Sequence, residues 1–232
     1  IRPVIHQHNQ YQLGRWCFPA LFNRARGKYI AYCEGDDYWI DPLKLQKQVN
    51  FLEANADYVL TYHDAMAFDR EGERGIQLAG KYQADASAMD LLKARPISTL
   101  TTCFRNVLHE LPRELAQAPV LDLCWWSMLG AHGKGKYLAD IAPARYRLHP
   151  GGIFSQRPGQ NKLQMTLHTY ACLANYYFRQ GDRVLYEHFL VQVSGMCVAA
   201  IRPVQKFKAL LHVSGNVSRN LIRRLTPAAA RG

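Results

Sequence analysis

Apolar and polar positions alternate in blocks along residues 1–155 of the chain. Short runs of aromatic and β-branched residues predict strands, and the nearly continuous run at 28–33 is typical of a buried parallel strand. Between these runs, apolar residues recur with helical spacing. Strands are predicted at 1–9, 28–33, 58–62, 99–104 and within 137–148, helices at 14–26, 87–95 and 121–132, and a loop or hairpin at 69–85. This alternation predicts an α/β fold with a mostly parallel sheet.

One further helix carries its own start signal. Asp41 is a favourable N-cap, and Pro42 suits the first helical position. The apolar positions that follow predict the buried face of this helix. They are Leu43, Leu45, Val49 and Leu52.

The pattern changes after Pro158. Residues 161–180 and 184–200 predict two helices around a turn at 181–182, and residues 204–225 predict a third. We therefore expect two units, a partial α/β domain at 1–155 and a basic α-helical module at 156–232.

Composition excludes some classes of protein and suggests a partner for the second unit. A hydrophobic fraction of 48% excludes a disordered chain. No Cys-x-x-Cys pair occurs among the six cysteines, which argues against a zinc ribbon and favours a reducing, cytoplasmic setting. Of the net charge of +11, residues 156–232 carry +9. This excess favours contact between helix 204–225 and an anionic surface, although a solvated helix face would have the same composition.

The strongest chemical signal is an acidic cluster at the end of a predicted strand. Residues 34–39 read Glu-Gly-Asp-Asp-Tyr-Trp, so that Glu34, Asp36 and Asp37 place three carboxylates within four residues. In an α/β sheet, ligands bind at the carboxyl ends of strands. Mg²⁺ or Mn²⁺ favours such oxygen ligands and neutralises their repulsion, and the metal can then clamp a diphosphate. A solvated acidic turn is the alternative interpretation.

These segments resemble a known family. Residues 25–32 (Ala-Arg-Gly-Lys-Tyr-Ile-Ala-Tyr), 34–39 and 41–45 (Asp-Pro-Leu-Lys-Leu) resemble the central segment of family-2 glycosyltransferases, especially the bacterial members that build polysaccharides. The resemblance covers about residues 9–155 and implies a GT-A fold with the Asp-x-Asp region at the acidic cluster. Asp36 and Asp37 would then contact the metal and the donor diphosphate. Glu34 stands where the family usually has Asp.

A second constellation surrounds Asp122, within the sequence Leu-Asp-Leu-Cys-Trp-Trp at 121–126. From the pattern alone, an N-cap is the favoured interpretation of this residue. An acid among large apolar residues has a raised pKa if it is buried, which suits a general base. The resemblance favours this role, because family members place the catalytic aspartate in this interval. It implies inversion at the anomeric carbon.

A third constellation is residues 146–149, Tyr-Arg-Leu-His. Family members often carry such a motif here. The resemblance implies that Arg147 contacts phosphate and that His149 approaches the metal, and both residue types suit these ligands. A surface loop is the alternative.

The resemblance implies a nucleotide-sugar donor, such as a UDP-sugar, and a saccharide or lipid-linked acceptor in the synthesis of surface polysaccharide or glycolipid. We expect a cytoplasmic enzyme, peripheral at the inner membrane face through residues 204–225, and no nucleic-acid partner. The family normally opens with a strand, a helix and a strand that carry part of the nucleotide pocket. No such segment precedes residue 9, so we expect this chain alone to bind nucleotide sugar weakly or not at all.

Three other interpretations remain open from the residues. Asp36, Asp37 and Asp41 resemble the aspartate-rich motif of prenyl-diphosphate enzymes, but such motifs lie on helices and this one ends a strand. The basic residues of 156–232 could serve a nucleic-acid-binding module, although no binding motif is present. Finally, the chain could be a catalytically inactive interaction module that binds an anionic surface, lipid or nucleic acid, through its basic helical tail.

Overall fold

The computed structural model describes residues 5–8, 24–78, 80–152 and 158–200. Strands and helices alternate through most of this part, with short 3-10 turns between them. The strands are β1 (Tyr29–Ala31), β2 (Tyr58–Tyr62), β3 (Ala65–Asp69), β4 (Gly72–Ile76), β5 (Cys103–Arg105), β6 (Lys134–Tyr137) and β7 (Ala144–Arg147). The α-helices are α1 (Lys44–Ala54), α2 (Ala88–Leu92), α3 (Leu121–Leu129), α4 (Gly159–Gln180) and α5 (Arg183–Ala200).

The strands form two small mixed sheets. In the four-stranded sheet, the order is β1-β5-β2-β6, with β5 antiparallel to both of its neighbours and β2 parallel to β6. In the three-stranded sheet, the order is β4-β3-β7, with β3 and β4 forming an antiparallel hairpin and β3 parallel to β7. The α/β class is therefore confirmed, but the sheets are not mostly parallel. Strand β5 inserts between β1 and β2 in the opposite direction, so the run at 28–33 pairs with an antiparallel partner.

Several predicted boundaries differ from the structure. The predicted strand at 99–104 is a 3-10 turn, Thr99–Thr101, followed by β5. The strand predicted within 137–148 is β7, and β6 ends at the start of that region. Residues 5–8 contain no strand and residues 24–26 no helix. The remainder of those two elements, together with the helix at 204–225, lies outside the described residues. The predicted helices at 161–180 and 184–200 are confirmed as α4 and α5.

Helix α1 buries only part of the predicted face. Leu52 is fully buried, as predicted, whereas Leu43 and Leu45 are exposed and the polar residues Lys44 and Gln48 are fully buried. The amide of Gln48 donates to the carbonyl oxygen of Thr101 at 2.9 Å, and its Oε1 accepts from the Lys44 ammonium at 2.7 Å. Both buried polar side chains therefore have partners. Asp41 caps only a turn, since its Oδ1 accepts from the Leu43 amide at 2.8 Å and the helix begins at Lys44.

The main core lies between the four-stranded sheet and helices α2 to α5. Trp126 is fully buried, packs edge-on against Phe104 and donates its indole N–H to the Ile97 carbonyl at 3.0 Å. Tyr177 and Phe189 bring the helical pair α4–α5 into the same core cluster. The hydroxyl of Tyr177 lies 2.8 Å from that of Ser127 on α3. The domain boundary at residue 155 stays a prediction.

The five cysteines in the described part are free thiols. None of the described helices is both long and apolar enough to cross a membrane.

We predict that Gly130→Ala destabilises the fold. A Cβ at this position would lie 2.5 Å from the Leu92 amide nitrogen and 2.8 Å from the Ala88 carbonyl oxygen, both of them backbone atoms of the neighbouring helix α2. We expect the free energy of unfolding to fall by about 1–3 kcal/mol, measured by urea denaturation.

Gly195→Ala is the matched control for this substitution. Gly195 lies within α5 with open space around it, so alanine should raise stability by up to about 1 kcal/mol through helix propensity. Equal effects of the two substitutions would show that the close approach of Gly130 to α2 does not limit the stability of the fold.

Candidate functional site

Residues 34–37, called the acidic turn below, lie just beyond the end of β1, where the chain folds back towards β7. The Asp37 amide donates to the Glu34 carbonyl at 3.2 Å and closes the turn. Tyr38 and Arg145 then exchange two backbone hydrogen bonds, of 3.2 and 2.8 Å. This bridge fixes the turn against the strand that leads into the third predicted motif.

The acidic turn and the motif at 146–149 meet directly, although about 110 residues separate them in sequence. Oδ1 of Asp37 accepts from the Arg147 backbone N–H at 2.8 Å. The Nε atom of Arg147 donates to the Asp36 carbonyl oxygen at 2.9 Å. Nε2 of His149 lies 2.8 Å from Oδ2 of Asp36. Residues 147 and 149 therefore contact the acidic turn directly, which a simple surface loop at 146–149 would not do.

Glu34 points to the inner side of this turn. Its Oε1 accepts a hydrogen bond of 2.5 Å from the hydroxyl of Thr99. Its Oε2 is buried and has no hydrogen-bond partner. Burial raises the pKa of Glu34, and the negative charges of Asp122 and Asp36 raise it further, against the hydrogen bond from Thr99. A buried carboxyl oxygen without a partner is costly unless a proton or a cation reaches it.

Asp37 is the most perturbed acid of the cluster. Burial raises its pKa from 3.8 to about 7, and the charges of Glu34 and Asp36 act in the same direction. The hydrogen bond from the Arg147 backbone only partly opposes this shift. The fold therefore holds these carboxyl groups together at a cost in stability, which is typical of functional sites.

Asp122 lies in the first turn of α3, but it is not the N-cap. Val120 occupies the N-cap position, and no side chain caps this helix. Burial raises the pKa of Asp122 from 3.8 to about 6, although a hydrogen bond from the backbone N–H of Leu123 acts in the opposite direction. Its charge also contributes to raising the pKa of Glu34, so Asp122 lies within electrostatic reach of the acidic turn.

Three supporting residues were not identified as site residues from the sequence. Thr99 holds Glu34, as described above. Trp39 donates its indole N–H to the Leu100 carbonyl at 2.7 Å, and the Lys44 ammonium lies 4.1 Å from the centre of the Trp39 ring. Burial lowers the pKa of Lys44 to about 8. The polar i, i+4 pair formed by Lys44 and Gln48 is the signal that could have indicated a buried polar face.

The predicted metal ligands do not all converge. Glu34 faces Thr99 and Asp37 faces the Arg147 amide, so that only Asp36 and His149 are adjacent. Within the described ranges, no group of three or more His, Cys, Asp or Glu side chains is arranged to hold a metal ion. The arrangement therefore offers a two-residue ligand pair beside two carboxyl groups of raised pKa.

Comparison with known proteins identifies relatives without a described activity. No protein-family model matches the chain. Three curated proteins are each 31% identical to it over 159 residues: uncharacterized proteins Rv1520 and MT1570 of Mycobacterium tuberculosis and Mb1547 of Mycobacterium bovis. The match covers 66% of this chain and 43% of each relative. The chain thus spans less than half the length of the curated relatives it matches.

We predict that the raised pKa of Asp37 makes the folded chain less stable as the pH rises. Between pH 3.8 and about 7, the folded chain keeps a proton on Asp37 that the unfolded chain has lost. The free energy of unfolding therefore falls across this window. Asp37→Asn should remove this contribution, so that the variant gains stability relative to the wild type as the pH increases from about 4 to about 7.

The measurement is urea denaturation of both proteins at a series of pH values in EDTA. Asp140→Asn is the control, because Asp140 is an exposed acid outside the cluster. Parallel pH profiles for the wild type and Asp37→Asn would contradict the prediction.

Proposed function

We propose that this chain is the catalytic part of an inverting, metal-dependent glycosyltransferase of the GT-A type. It would transfer a sugar from a nucleotide-sugar donor to a hydroxyl of a saccharide or lipid-linked acceptor, in surface polysaccharide or glycolipid synthesis. The observation that carries the proposal is the direct contact of the acidic turn at 34–37 with residues 147–149, together with the electrostatic coupling of Asp122, at the start of α3, to Glu34. Each of these three segments matches a motif of the family-2 resemblance.

A divalent cation fits the chemistry of this cluster. Oε2 of Glu34 is buried without a hydrogen bond, and Asp37 has a pKa of about 7. Both features favour the arrival of positive charge. Mg²⁺ in phosphate sites is usually held by one or two carboxylates, with the remaining positions taken by water and substrate phosphates. A protein ligand pair of Asp36 and His149 is compatible with that pattern, and Mn²⁺ accepts the imidazole as well.

Arg147 supplies the charge that a diphosphate needs. Its side chain is exposed, and its Nε donates to the Asp36 carbonyl while the guanidinium lies 5.0 Å from the Phe68 ring centre. These two contacts orient the guanidinium beside the acidic turn. A planar guanidinium binds phosphate with two parallel hydrogen bonds. We assign Arg147 to the donor diphosphate.

Asp122 is the general base in this proposal. With a pKa of about 6 it is ionised at neutral pH, yet it is basic enough to accept a proton efficiently. It takes the proton from the acceptor hydroxyl while that oxygen forms a bond to the anomeric carbon. The bond between that carbon and the diphosphate oxygen breaks on the opposite face, and the nucleoside diphosphate leaves with the electron pair. The configuration is therefore inverted.

Cellular location belongs to the same proposal. We place the enzyme in the cytoplasm, peripheral at the membrane through the basic stretch 204–225, which lies outside the described residues. Acidic headgroups would attract this stretch and bring the site close to lipid-linked acceptors.

Mn²⁺ binding tests the donor site. We expect electron paramagnetic resonance titrations to detect Mn²⁺ binding to the chain, and Asp36→Asn to weaken it at least about tenfold, equivalent to about 1.4 kcal/mol. Asp140→Asn, at an exposed acid, is the matched control and should leave the affinity unchanged. UDP should increase the affinity for Mn²⁺, and by linkage Mn²⁺ should increase the affinity for UDP by the same factor.

Two further measurements distinguish the parts of the proposal. Asp122→Asn should keep Mn²⁺ and UDP binding, because the base does not contact the diphosphate. The full-length Mycobacterium tuberculosis relative Rv1520 should bind UDP or another nucleoside diphosphate more tightly than this chain does. If neither protein binds any nucleoside diphosphate with Mn²⁺ present, the glycosyltransferase proposal is wrong and the interaction-module alternative takes its place.

A further inference from the structure

A cleft lined by residues outside the acidic turn lies between the C-terminal end of α2 and the helical pair α4–α5. It encloses about 230 Å³. Cationic and aromatic side chains dominate its lining. The residues that matter for its chemistry are Tyr82, Lys93, Arg95, Tyr170 and His188. Its volume is below the 300–1,000 Å³ of drug-sized ligand pockets. A single sugar-sized or smaller ligand is therefore the scale that fits.

The end of α2 positions Arg95 in this cleft. Ala94 has a φ of 58°, in the left-handed region that non-glycine residues rarely adopt. The Ala94 amide donates to the Leu91 carbonyl at 2.7 Å, and the Arg95 amide donates to the Asp90 carbonyl at 3.2 Å. This capping turn reverses the chain and directs it into Pro96. Arg95 is thus held by backbone geometry and not only by its side-chain contacts.

The guanidinium of Arg95 is buried but not fully paired. Its side chain is 9% exposed. Nη2 donates to the carbonyl oxygens of Tyr82 and Ala84 at 3.0 and 2.8 Å. Nη1 forms a long ion pair of 3.9 Å with Oδ2 of Asp90, and the guanidinium lies 5.2 Å from the centre of the Tyr82 ring. Nε is buried and has no hydrogen-bond partner. An unpaired buried donor is costly, so this guanidinium favours the approach of an acceptor.

The other groups around the cleft leave it net positive. Asp90 is the acid of the lining, and its carboxyl is directed to the backbone and hydroxyl of Ser87, at 2.9 and 2.7 Å, in a capping box. Lys93 is exposed at the rim. Burial and the charge of Lys93 lower the pKa of His188, so that this ring is neutral at pH 7 and available as a hydrogen-bonding group.

We propose that this cleft binds an oxyanion, a phosphate or a carboxylate, carried by a sugar-sized ligand. Arg95 would attract the anion through its guanidinium, and Lys93 would add a second positive charge at the rim. Tyr82 and Tyr170 would provide apolar contact for the remainder of the ligand. The proposal does not rest on the glycosyltransferase assignment, because none of these residues belongs to the acidic turn or to its partners.

The test is a titration of the chain with inorganic phosphate, glucuronate and neutral glucose. The readout is the Nε–Hε signal of Arg95 in ¹H–¹⁵N spectra, assigned through Arg95→Lys. We expect a saturable shift of this signal with phosphate or glucuronate and none with glucose. Tighter binding of phosphate would identify a phosphate-bearing ligand, and tighter binding of glucuronate would identify an acidic sugar.

Lys93→Gln keeps the proposal falsifiable if Arg95→Lys fails to fold. We expect Lys93→Gln to weaken anion binding about fivefold at low salt, the effect of one nearby charge. Arg113→Gln removes the same charge from an exposed position outside the cleft and should leave the affinity unchanged. Absence of a saturable shift, or equal affinities for the wild type and Lys93→Gln, would overturn the proposal.

Discussion

The site depends on three carboxyl groups that lie within four residues of one another, just beyond the end of one short strand. Burial removes water from Glu34 and Asp37 and is the main reason that the pKa of each is raised. The negative charges of neighbouring acids add to the effect. The arrangement persists because backbone groups and neutral hydrogen-bond donors surround it. A segment under this constraint is ready to accept positive charge.

The second sheet supplies the contacts that hold the acidic turn in place. Strand β7 pairs with β3, and its end delivers the Arg147 amide to Asp37 and the His149 ring to Asp36. From the other side, the 3-10 turn at Thr99–Thr101 delivers the hydroxyl of Thr99 to Glu34. The three-stranded sheet and the 3-10 turn therefore do more than connect other elements. They supply hydrogen-bond partners to the carboxyl groups of Glu34, Asp36 and Asp37.

The two candidate sites share one physical principle with opposite signs. At the acidic turn, Oε2 of Glu34 is an acceptor without a donor, whereas in the cleft Nε of Arg95 is a donor without an acceptor. Residues 95–99 connect them along the chain, from Arg95 to Thr99. A buried acceptor without a donor can be satisfied by a cation, and a buried donor without an acceptor can be satisfied by an anion.

The sequence by itself determined the α/β class, the helical pair α4–α5 and the position of the acidic turn after a strand. These features follow from local periodicity and from residues adjacent in the chain, so neighbouring side chains suffice to predict them. The contact of Arg147 and His149 with the acidic turn, expected from the family resemblance and not from periodicity, joins segments about 110 residues apart.

Only the tertiary structure decided the direction of β5, the buried face of α1 and the surroundings of Asp122. The direction of a strand depends on its partners. Gln48 is buried with its amide on a distant carbonyl oxygen, and Lys44 is buried with its ammonium on the Gln48 side chain. Asp122 could be read locally as an N-cap, yet its raised pKa comes from what packs around it. Sequence periodicity records which residues are apolar, whereas burial of polar groups depends on partners that only the folded chain brings within reach.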